Sequence, residues 1–276
     1  MGLECHNFMQ KAASFCPAYL TGIFTIGKGD AAGAGVSLEK GMTTEVSEAG
    51  KTIVFINQEK RQAKVSFAVI EKYRRLYNFH VEVRHHCSLP IGFGLGMSAA
   101  GALSLSLALN EFLGAGLSFS QCIKIAHDAE VECGTGLSGV DAAAIGGFLI
   151  RKNLKSRPIR VPLARRELYI AFFAPIKTSS VVWDPEWIRR VNFAGKKALK
   201  RLSQQPSWSR FLEFSREFAI SSGLADWCAR ELEMNTSASM AMVGRTVFSE
   251  KPLNFTRKPK QIIKMAVCEK KAVLLR

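Results

Sequence analysis

The sequence predicts an α+β fold, arranged as one large domain or two modest ones. Its 276 residues are enough to bury a sizeable core without disulfides or metal ions. Hydrophobic residues make up 47% of the chain and charged residues 22%, a balance typical of a globular protein. Segments with strand and helix patterns follow one another without strict alternation, which favours an α+β arrangement over a doubly wound parallel sheet.

Residues 1–150 are predicted to form an N-terminal domain of strands and three helices. Apolar residues at positions 65, 69, 73 and 76 form a helical stripe, and small residues with leucines predict a second helix over 99–113. Ser118 and Gln121 form a capping box that opens a third helix, ending near Glu132. Short strands are expected at 36–38, 43–46, 52–55, 81–83 and 146–150.

Residues 151–276 are predicted to form a C-terminal domain. The polar, basic stretch 151–160 is the candidate linker between the two domains. Residues 235–242 are candidates to begin a helix. The other expected elements are strands at 168–173, 246–248 and 266–275, and helices at 185–202, 208–220 and 224–234.

Composition and charge exclude several classes of protein. The seven cysteines are scattered, odd in number and contain no CxxC pair, so we expect no disulfide framework or structural zinc, and a reducing, cytoplasmic location. No apolar run approaches the ~18 residues of a membrane span, and the N-terminus lacks the pattern of a signal peptide. The net charge of +15 favours polyanions or phosphorylated metabolites, yet no nucleic-acid-binding motif accompanies it. We therefore expect neither a membrane nor a nucleic acid as partner.

The segment PIGFGLGMSAA at 90–100 is the strongest functional motif. Its glycines allow the backbone to approach a ligand closely, and a helix of small residues follows at once. A helix N-terminus presents unpaired N–H groups and the positive end of a dipole, so this junction suits phosphate. The hydroxyl of Ser98 lies where it can reach a phosphate or a phosphate-bound Mg²⁺. The predicted phosphate-binding residues are Pro90, Gly92, Gly94, Leu95, Gly96, Met97, Ser98, Ala99 and Ala100.

Two competing phosphate motifs fail on inspection. Gly50-Lys51-Thr52 resembles the end of a Walker A loop, but the position where that motif needs an earlier glycine is Glu45. The segment 134–139 reads GxGxxG, but a predicted helix precedes it where a dinucleotide-binding turn needs a strand. For 90–100 itself, a tight strand–helix turn without a ligand stays the alternative on these residues alone.

Three segments, in order, resemble the motifs of the GHMP kinases, which include galactokinase, homoserine kinase and mevalonate kinase. The pattern P-x-x-x-G-L-G-x-S-A-A at 90–100 is similar to the central motif of this superfamily. PAYLTGIF at 17–24 and SMAMVGRTVF at 239–248 are similar to its N-terminal and C-terminal motifs. Taken together, the three segments most resemble the archaeal pantoate kinase family.

The resemblance implies a fold and an activity. The fold would have two lobes, the N-terminal one like domain 2 of ribosomal protein S5 and the C-terminal one ferredoxin-like. The activity would be an ATP- and Mg²⁺-dependent kinase that phosphorylates the 4-hydroxyl of (R)-pantoate, a small hydroxy acid, in archaeal coenzyme A biosynthesis. The same resemblance suggests a homodimer.

Roles for individual residues also follow from the resemblance. Glu130 shares a helix face with His127, and the family places an Mg²⁺-binding glutamate here; Ser98 would be the second oxygen ligand of that hard cation. Asp141 follows a glycine-rich turn and would be the general base, or the orienting charge, for the substrate hydroxyl. The expected substrate contacts are His127, Thr21 and Arg151, whose guanidinium would bind a carboxylate bidentately.

The sequence departs from the pantoate kinase pattern on the acceptor side. Tyr19 stands in place of a histidine, and Asp30-Ala31-Ala32 in place of glycine, serine and arginine. Asp141 comes two residues later than the pattern places its aspartate. Two alternatives therefore stay open: a GHMP kinase that acts on a mevalonate-like or homoserine-like alcohol, and a basic nucleic-acid-binding protein on an inactive kinase fold.

Overall fold

Two long antiparallel strands run through the middle of the molecule. The computed structural model describes residues 9–27, 30–136, 139–176 and 185–275. Strand β1 (Lys11–Ile26) pairs with β2 (Ala31–Glu48) over almost its whole length. The register shifts between Pro17 and Tyr19 and again between Thr21 and Ile23. Irregularities of this kind bend a strand and redirect its side chains, and here they fall within the PAYLTGIF segment.

Gly41 does not end a strand, although we expected it to separate 36–38 from 43–46. It lies inside β2, where a Cβ would come within 2.1 Å of the Cys16 carbonyl oxygen. The missing side chain therefore allows close approach of β1 and β2, and the two expected strands are one.

The two ends of β2 have different neighbours. Its C-terminal end pairs with β5 (Val81–Cys87), and β5 pairs in parallel with β3 (Ile53–Ile56), which pairs with β4 (Glu59–Lys60). Its N-terminal end pairs with β6 (Phe148–Arg151), and β6 pairs with β7 (Ile159–Val161). Residues 152–158 therefore form the loop of a β6–β7 hairpin, so the expectation of a linker at 151–160 is wrong.

In the described part of the chain, four helices accompany the N-terminal strands: α1 (Lys64–Arg74), α2 (Met97–Phe112), α3 (Phe119–Glu132) and α4 (Gly139–Ile145). Helix α2 is buried on nearly every side, because it packs against β1, β2, α1 and α3. Its small residues and leucines suit that central place. The capping box predicted for α3 is confirmed, with Ser118 accepting from the Gln121 backbone and Gln121 accepting from the Ser118 backbone.

The C-terminal part forms an antiparallel layer in the order β11, β8, β10, β9. Its strands are β8 (Arg166–Ala174), β9 (Ser239–Met240), β10 (Arg245–Ser249) and β11 (Gln261–Cys268). Its helices are α5 (Pro185–Gln204), α6 (Trp208–Ser221) and α7 (Ala229–Met234), with a 3-10 turn at Asp226–Cys228. Helices α5, α6 and α7 lie between β8 and β9, and β9 and β10 form a hairpin. This order agrees with the predicted ferredoxin-like layer, although residues 250–260, which connect β10 with β11, contain no helix.

The two layers share one sheet. Strand β11 pairs with β2 at Ser37 and Leu38, and β12 (Val273–Leu275) returns to pair with β1. The predicted α+β class is confirmed by this mixed sheet with its packed helices, whereas the domain boundary at residue 150 stays a prediction. Within the described ranges, no helix is both long and apolar enough to span a lipid bilayer.

The helix expected at 235–242 is absent, and that expectation is wrong. Asn235 ends α7 instead: its amide donates to the Glu231 and Asn254 carbonyls and accepts from the Asn254 backbone N–H. Residues 239 and 240 then enter β9. Side-chain bonds that satisfy nearby backbone groups compete with helix continuation, which explains the difference.

Candidate active site

The loop between β5 and α2 is held by its carbonyl groups. The Gly92 carbonyl accepts from the Ile176 N–H at 2.8 Å, and the Leu95 carbonyl from the Tyr19 N–H at 3.0 Å. The Phe93 carbonyl accepts from the Thr246 hydroxyl at 2.7 Å. In a trans peptide the N–H points opposite to the C=O, so the N–H groups of residues 93, 94 and 96 face away from these partners. None of these three N–H groups donates a hydrogen bond to another described residue, so they can donate to a ligand.

The loop also packs backbone to backbone against the β9–β10 turn. A Cβ on Gly94 would lie 2.9 Å from the Gly244 nitrogen, and a Cβ on Gly244 would lie 2.2 Å from the Phe93 carbonyl. Gly94 and Gly96 have φ values of 81° and 64°, in the region that glycine favours. Gly96 is the residue that precedes the first turn of α2. The second and third sequence motifs therefore meet here, and both need glycine to do so.

Ser98 and Glu130 lie in contact next to this helix start. The Ser98 hydroxyl donates to Glu130 Oε1 at 2.5 Å, and the Thr135 hydroxyl donates to the same oxygen at 2.9 Å. Glu130 is only 2% exposed, and its burial raises the pKa of the carboxyl despite these two bonds. Gly136 leaves room for the second oxygen, since a Cβ there would lie 2.3 Å from Glu130 Oε2.

This pair has the chemistry of a site for a hard cation. A carboxylate and a hydroxyl offer oxygen ligands, which Mg²⁺ prefers together with phosphate oxygens and water. A buried carboxylate with no cation nearby is costly, and a bound cation would offset that cost. Among the residues that the structure describes, no three His, Cys, Asp or Glu side chains cluster as a metal site. The arrangement therefore suits an ion that takes only some of its ligands from protein.

A cavity of about 630 Å³ opens beside α4. His127 and Asp141 both line it, with His127 Nδ1 3.9 Å from Asp141 Oδ2. Burial raises the pKa of Asp141, the nearby Asp30 raises it further, and His127 and Arg151 oppose the change. A carboxyl with a raised pKa in a cavity is a candidate for proton transfer.

The cavity adjoins the Ser98 site through two helices. His127 and Glu130 lie one turn apart on α3, and His127 opposes the effect of burial on the pKa of the Glu130 carboxyl. At the start of α4, a Cβ on Gly139 would lie 3.1 Å from the Ala99 Cβ. The helix that carries Asp141 thus packs directly on the first turn of α2.

Arg151 is engaged mainly with the protein itself. Its Nη1 donates to Asp30 Oδ1 at 2.7 Å and to the Ala31 carbonyl at 3.0 Å. Its Nη2 donates to the Leu154 carbonyl at 2.7 Å, and its Nε to the Ser156 carbonyl at 3.2 Å. Four of the five N–H groups of a guanidinium are thereby used, so the bidentate grip expected of Arg151 lacks its donors in this arrangement.

The predicted site residues fall into two groups. Ser98 and Glu130 meet beside the glycine loop, whereas Thr21, His127, Asp141 and Arg151 line the cavity. Pro90 precedes the loop and lies outside the cavity lining. Four residues that were not predicted as site residues also have roles in this geometry: Thr135, Asp30, Lys155 and Arg157. The departure at Asp30 was visible in sequence, but its pairing with Arg151 was not.

The segment from α1 to the end of α4 matches a known family. Residues 63–147 match the model of the GHMP kinases N terminal domain. A solved structure described as a phosphotransferase related to the CoA biosynthesis pathway superposes with a TM-score of 0.81 at 24% identity, over 96% of this chain and 99% of that one. Mevalonate diphosphate decarboxylase from Staphylococcus aureus superposes with a TM-score of 0.67 at 13% identity, over 97% and 98%. These likenesses confirm the GHMP kinase fold.

Curated relatives match over most of their length. Pantoate kinase of Methanocaldococcus jannaschii is 33% identical over 249 residues, which cover 85% of this chain and 90% of that protein. Pantoate kinase of Methanospirillum hungatei is 30% identical over 258 residues, covering 87% and 88%. Identity of this extent, together with the fold and the loop–helix junction, shows that the chain belongs to the pantoate kinase family of GHMP kinases.

Proposed function

We propose that this protein transfers the γ-phosphoryl group of ATP to the 4-hydroxyl of (R)-pantoate. The observation that carries the proposal is the adjacency of two sites: a cavity with Asp141 and His127, and a glycine loop with Ser98 and Glu130. Phosphoryl transfer needs such a neighbourhood, because the enzyme must hold the phosphates and the acceptor hydroxyl side by side. The names of the relatives support pantoate as the acceptor.

The backbone of the glycine loop would bind the phosphates. Its donors at residues 93, 94 and 96 face away from the scaffold bonds, and the unpaired N–H groups of the first turn of α2 follow. Together with the positive end of the helix dipole, these donors favour the phosphate oxygens. Because the loop is fixed at both ends and against Gly244, the donors stay in place without substrate.

Ser98 and Glu130 would hold Mg²⁺. The related protein MDDEF, with a TM-score of 0.68 at 13% identity, has been solved in complex with MVAPP, AMPPCP and magnesium. When bound, Mg²⁺ supplies positive charge that neutralises the phosphate oxygens. The Thr135 hydroxyl donates to the same Glu130 oxygen as Ser98, and it would thereby orient the carboxylate for Mg²⁺ binding.

Asp141 would accept the proton of the acceptor hydroxyl. The hydroxyl oxygen then bonds to the γ-phosphorus, the bond from that phosphorus to the bridging oxygen of ADP breaks, and the proton stays on Asp141. His127 lies close enough to orient the carboxylate. Tyr19, Phe24 and Leu149 supply apolar walls for the dimethyl centre of pantoate.

Turnover with a panel of acceptors tests the proposal. Purified protein with ATP and Mg²⁺ is assayed for ADP release with pantoate, mevalonate and homoserine, and the product is identified by mass spectrometry. We expect kcat/KM to be highest for pantoate. Equal or higher kcat/KM for another alcohol would assign the chain to a different acceptor, and no ADP release with any of them would remove the kinase function.

The homodimer and the domain boundary near residue 150 are further parts of the proposal. Light scattering after gel filtration distinguishes a monomer of 30.4 kDa from a dimer. Expression of residues 1–150 alone tests the boundary, because a separate domain would keep a cooperative unfolding transition of its own.

A further inference from the structure

The cavity owes its positive balance of charge to two residues, Lys155 and Arg157. Among the described residues of the lining, Asp30 and Asp141 are acidic, and Arg151, Lys155 and Arg157 are basic, with His127 in addition. Asp30 is paired with Arg151. If Lys155 and Arg157 are set aside, the remaining formal charge is −1 (two carboxylates and one guanidinium), which repels a carboxylate. Within this described lining, attraction of an anionic substrate therefore depends on those two cations.

Arg151 fixes the loop that carries the two cations. It bonds the carbonyls of Leu154 and Ser156, the residues on either side of Lys155. Within the loop, Ser156 N donates to the Asn153 carbonyl at 3.1 Å, and Lys155 N donates to Asn153 Oδ1 at 3.0 Å. The backbone of the loop is thus tied down on the cavity side.

The side chains of Lys155 and Arg157 are available. Both are exposed, both line the cavity, and neither forms an ion pair or a side-chain hydrogen bond within the described part of the chain. Asp141, which would receive the hydroxyl proton, lies on α4, while these cations lie on the β6–β7 loop. In pantoate the carboxylate and the 4-hydroxyl are at opposite ends of the molecule, so different elements of the cavity wall can bind them.

We propose that Lys155 and Arg157 bind the carboxylate of the substrate, and that Arg151 supports their loop while Asp30 neutralises it. This inference rests on the proposed function, because it concerns the acceptor end of the same cavity. It names a subsite for a carboxylate and predicts that the enzyme discriminates acids from neutral alcohols through this loop.

Steady-state kinetics with an acid and its neutral counterpart tests the inference. The variants are Lys155→Ala, Arg157→Ala and the double variant, assayed with pantoate and with its primary amide. We expect the double variant to raise KM for pantoate by about ten-fold or more, since charge-assisted hydrogen bonds are lost. KM for the amide and kcat for both should change less than about three-fold. Lys152→Ala is the matched control, because Lys152 is an exposed cation of the same loop outside the cavity lining.

Three outcomes would overturn the inference: an unchanged KM for pantoate in the double variant, an equal rise for pantoate and amide, or the same rise in the Lys152→Ala control. An unchanged KM would indicate that the substrate carboxylate is bound by the remaining N–H group of Arg151 or by the backbone. These results differ from failure of the proposed function, in which the unmodified protein itself shows no preference for pantoate.

Discussion

The Ser98 hydroxyl lies 2.5 Å from Glu130 Oε1 and joins the start of α2 to the last turns of α3. The contact brings together residues 32 positions apart in the chain. It also places a buried carboxylate beside the N-terminus of a helix, where a phosphate and its cation would bind. This relationship links the phosphate loop to the metal chemistry of the proposed reaction.

Ser98→Ala should lower kcat/KM for Mg-ATP by about 10- to 100-fold, because one oxygen ligand and one orienting donor are lost. Titration of activity against Mg²⁺ at fixed ATP should show a higher half-saturating concentration. Ser98→Thr is the control, since it retains the hydroxyl. Equal kinetics of the alanine variant and the unmodified protein would remove Ser98 from the metal site.

Glu130→Gln should stabilise the metal-free protein near neutral pH while it abolishes Mg²⁺-dependent turnover. Burial raises the pKa of Glu130 in the folded state above its unfolded value. Between the unfolded and the raised folded pKa of Glu130, the folded protein therefore binds more protons than the unfolded chain. The free energy of unfolding falls as pH rises through this interval, and the destabilisation by the buried charge is complete above the raised pKa. Glutamine carries no charge and removes the cost.

Thermal unfolding of the two proteins without Mg²⁺, at several pH values, measures this effect. The melting temperatures should converge at acidic pH, where Glu130 is protonated in both states. A lower melting temperature for the variant at neutral pH would show that Glu130 stabilises the fold as a charged group.

Asp141→Asn should lower kcat by about 10² to 10⁴-fold while ATP still binds, as expected for loss of a general base. Because burial raises the pKa of Asp141, the unmodified enzyme should lose activity on acidification at a pH above the ordinary range of aspartate. A kcat/KM profile against pH, with calorimetric ATP binding for the variant, measures both. Full turnover in the variant would place the base elsewhere.

Gly244→Ala should destabilise the protein by about 1–3 kcal/mol, because its Cβ would fall 2.2 Å from the Phe93 carbonyl group and force the two backbones apart. The loop that it displaces is the proposed phosphate site, so KM for ATP should rise as well. Gly50→Ala is the matched control: nothing lies within 4 Å of its Cβ, and about 0.5 kcal/mol or less is expected. Urea unfolding reports both variants.

Acidification should destabilise the folded protein through His85. This residue is 2% exposed and bonded to Thr44 and Ser66, and burial, aided by the neighbouring His86, lowers its pKa to about 4. The unfolded chain therefore binds more protons than the folded one between pH 6.5 and 4, and stability falls as pH drops through that window. The loss reaches roughly 3 kcal/mol below pH 4, at 1.36 kcal/mol for each unit of pKa.

Urea unfolding between pH 7 and pH 4 measures this loss. His85→Gln should flatten the dependence, because glutamine keeps hydrogen-bonding groups without a proton to gain. An equally steep fall in the variant would assign the acid sensitivity to other residues.

Local patterns in the sequence determined several parts of this protein. The helical stripe of α1, the capping box of α3 and the junction of glycines with α2 each depend on residues close together in the chain, so each could be predicted. The three ordered motifs indicated the family. The pairing of Ser98 with Glu130 was expected only through that resemblance.

Tertiary structure alone decided the acceptor side and the packing of the phosphate loop. Two contacts join segments more than a hundred residues apart: the salt bridge of Asp30 with Arg151 and the packing of Gly94 against Gly244. The hydrogen bonds of Arg151 to the 152–158 loop depend on the direction of its side chain. Residue type and spacing in the sequence predict neither long-range contacts of this kind nor the direction of a side chain. From the sequence, the guanidinium of Arg151 was expected to bind a carboxylate of the substrate. In the fold it donates mainly to backbone carbonyls, because unsatisfied carbonyls near a cavity are costly and arginine supplies five donors.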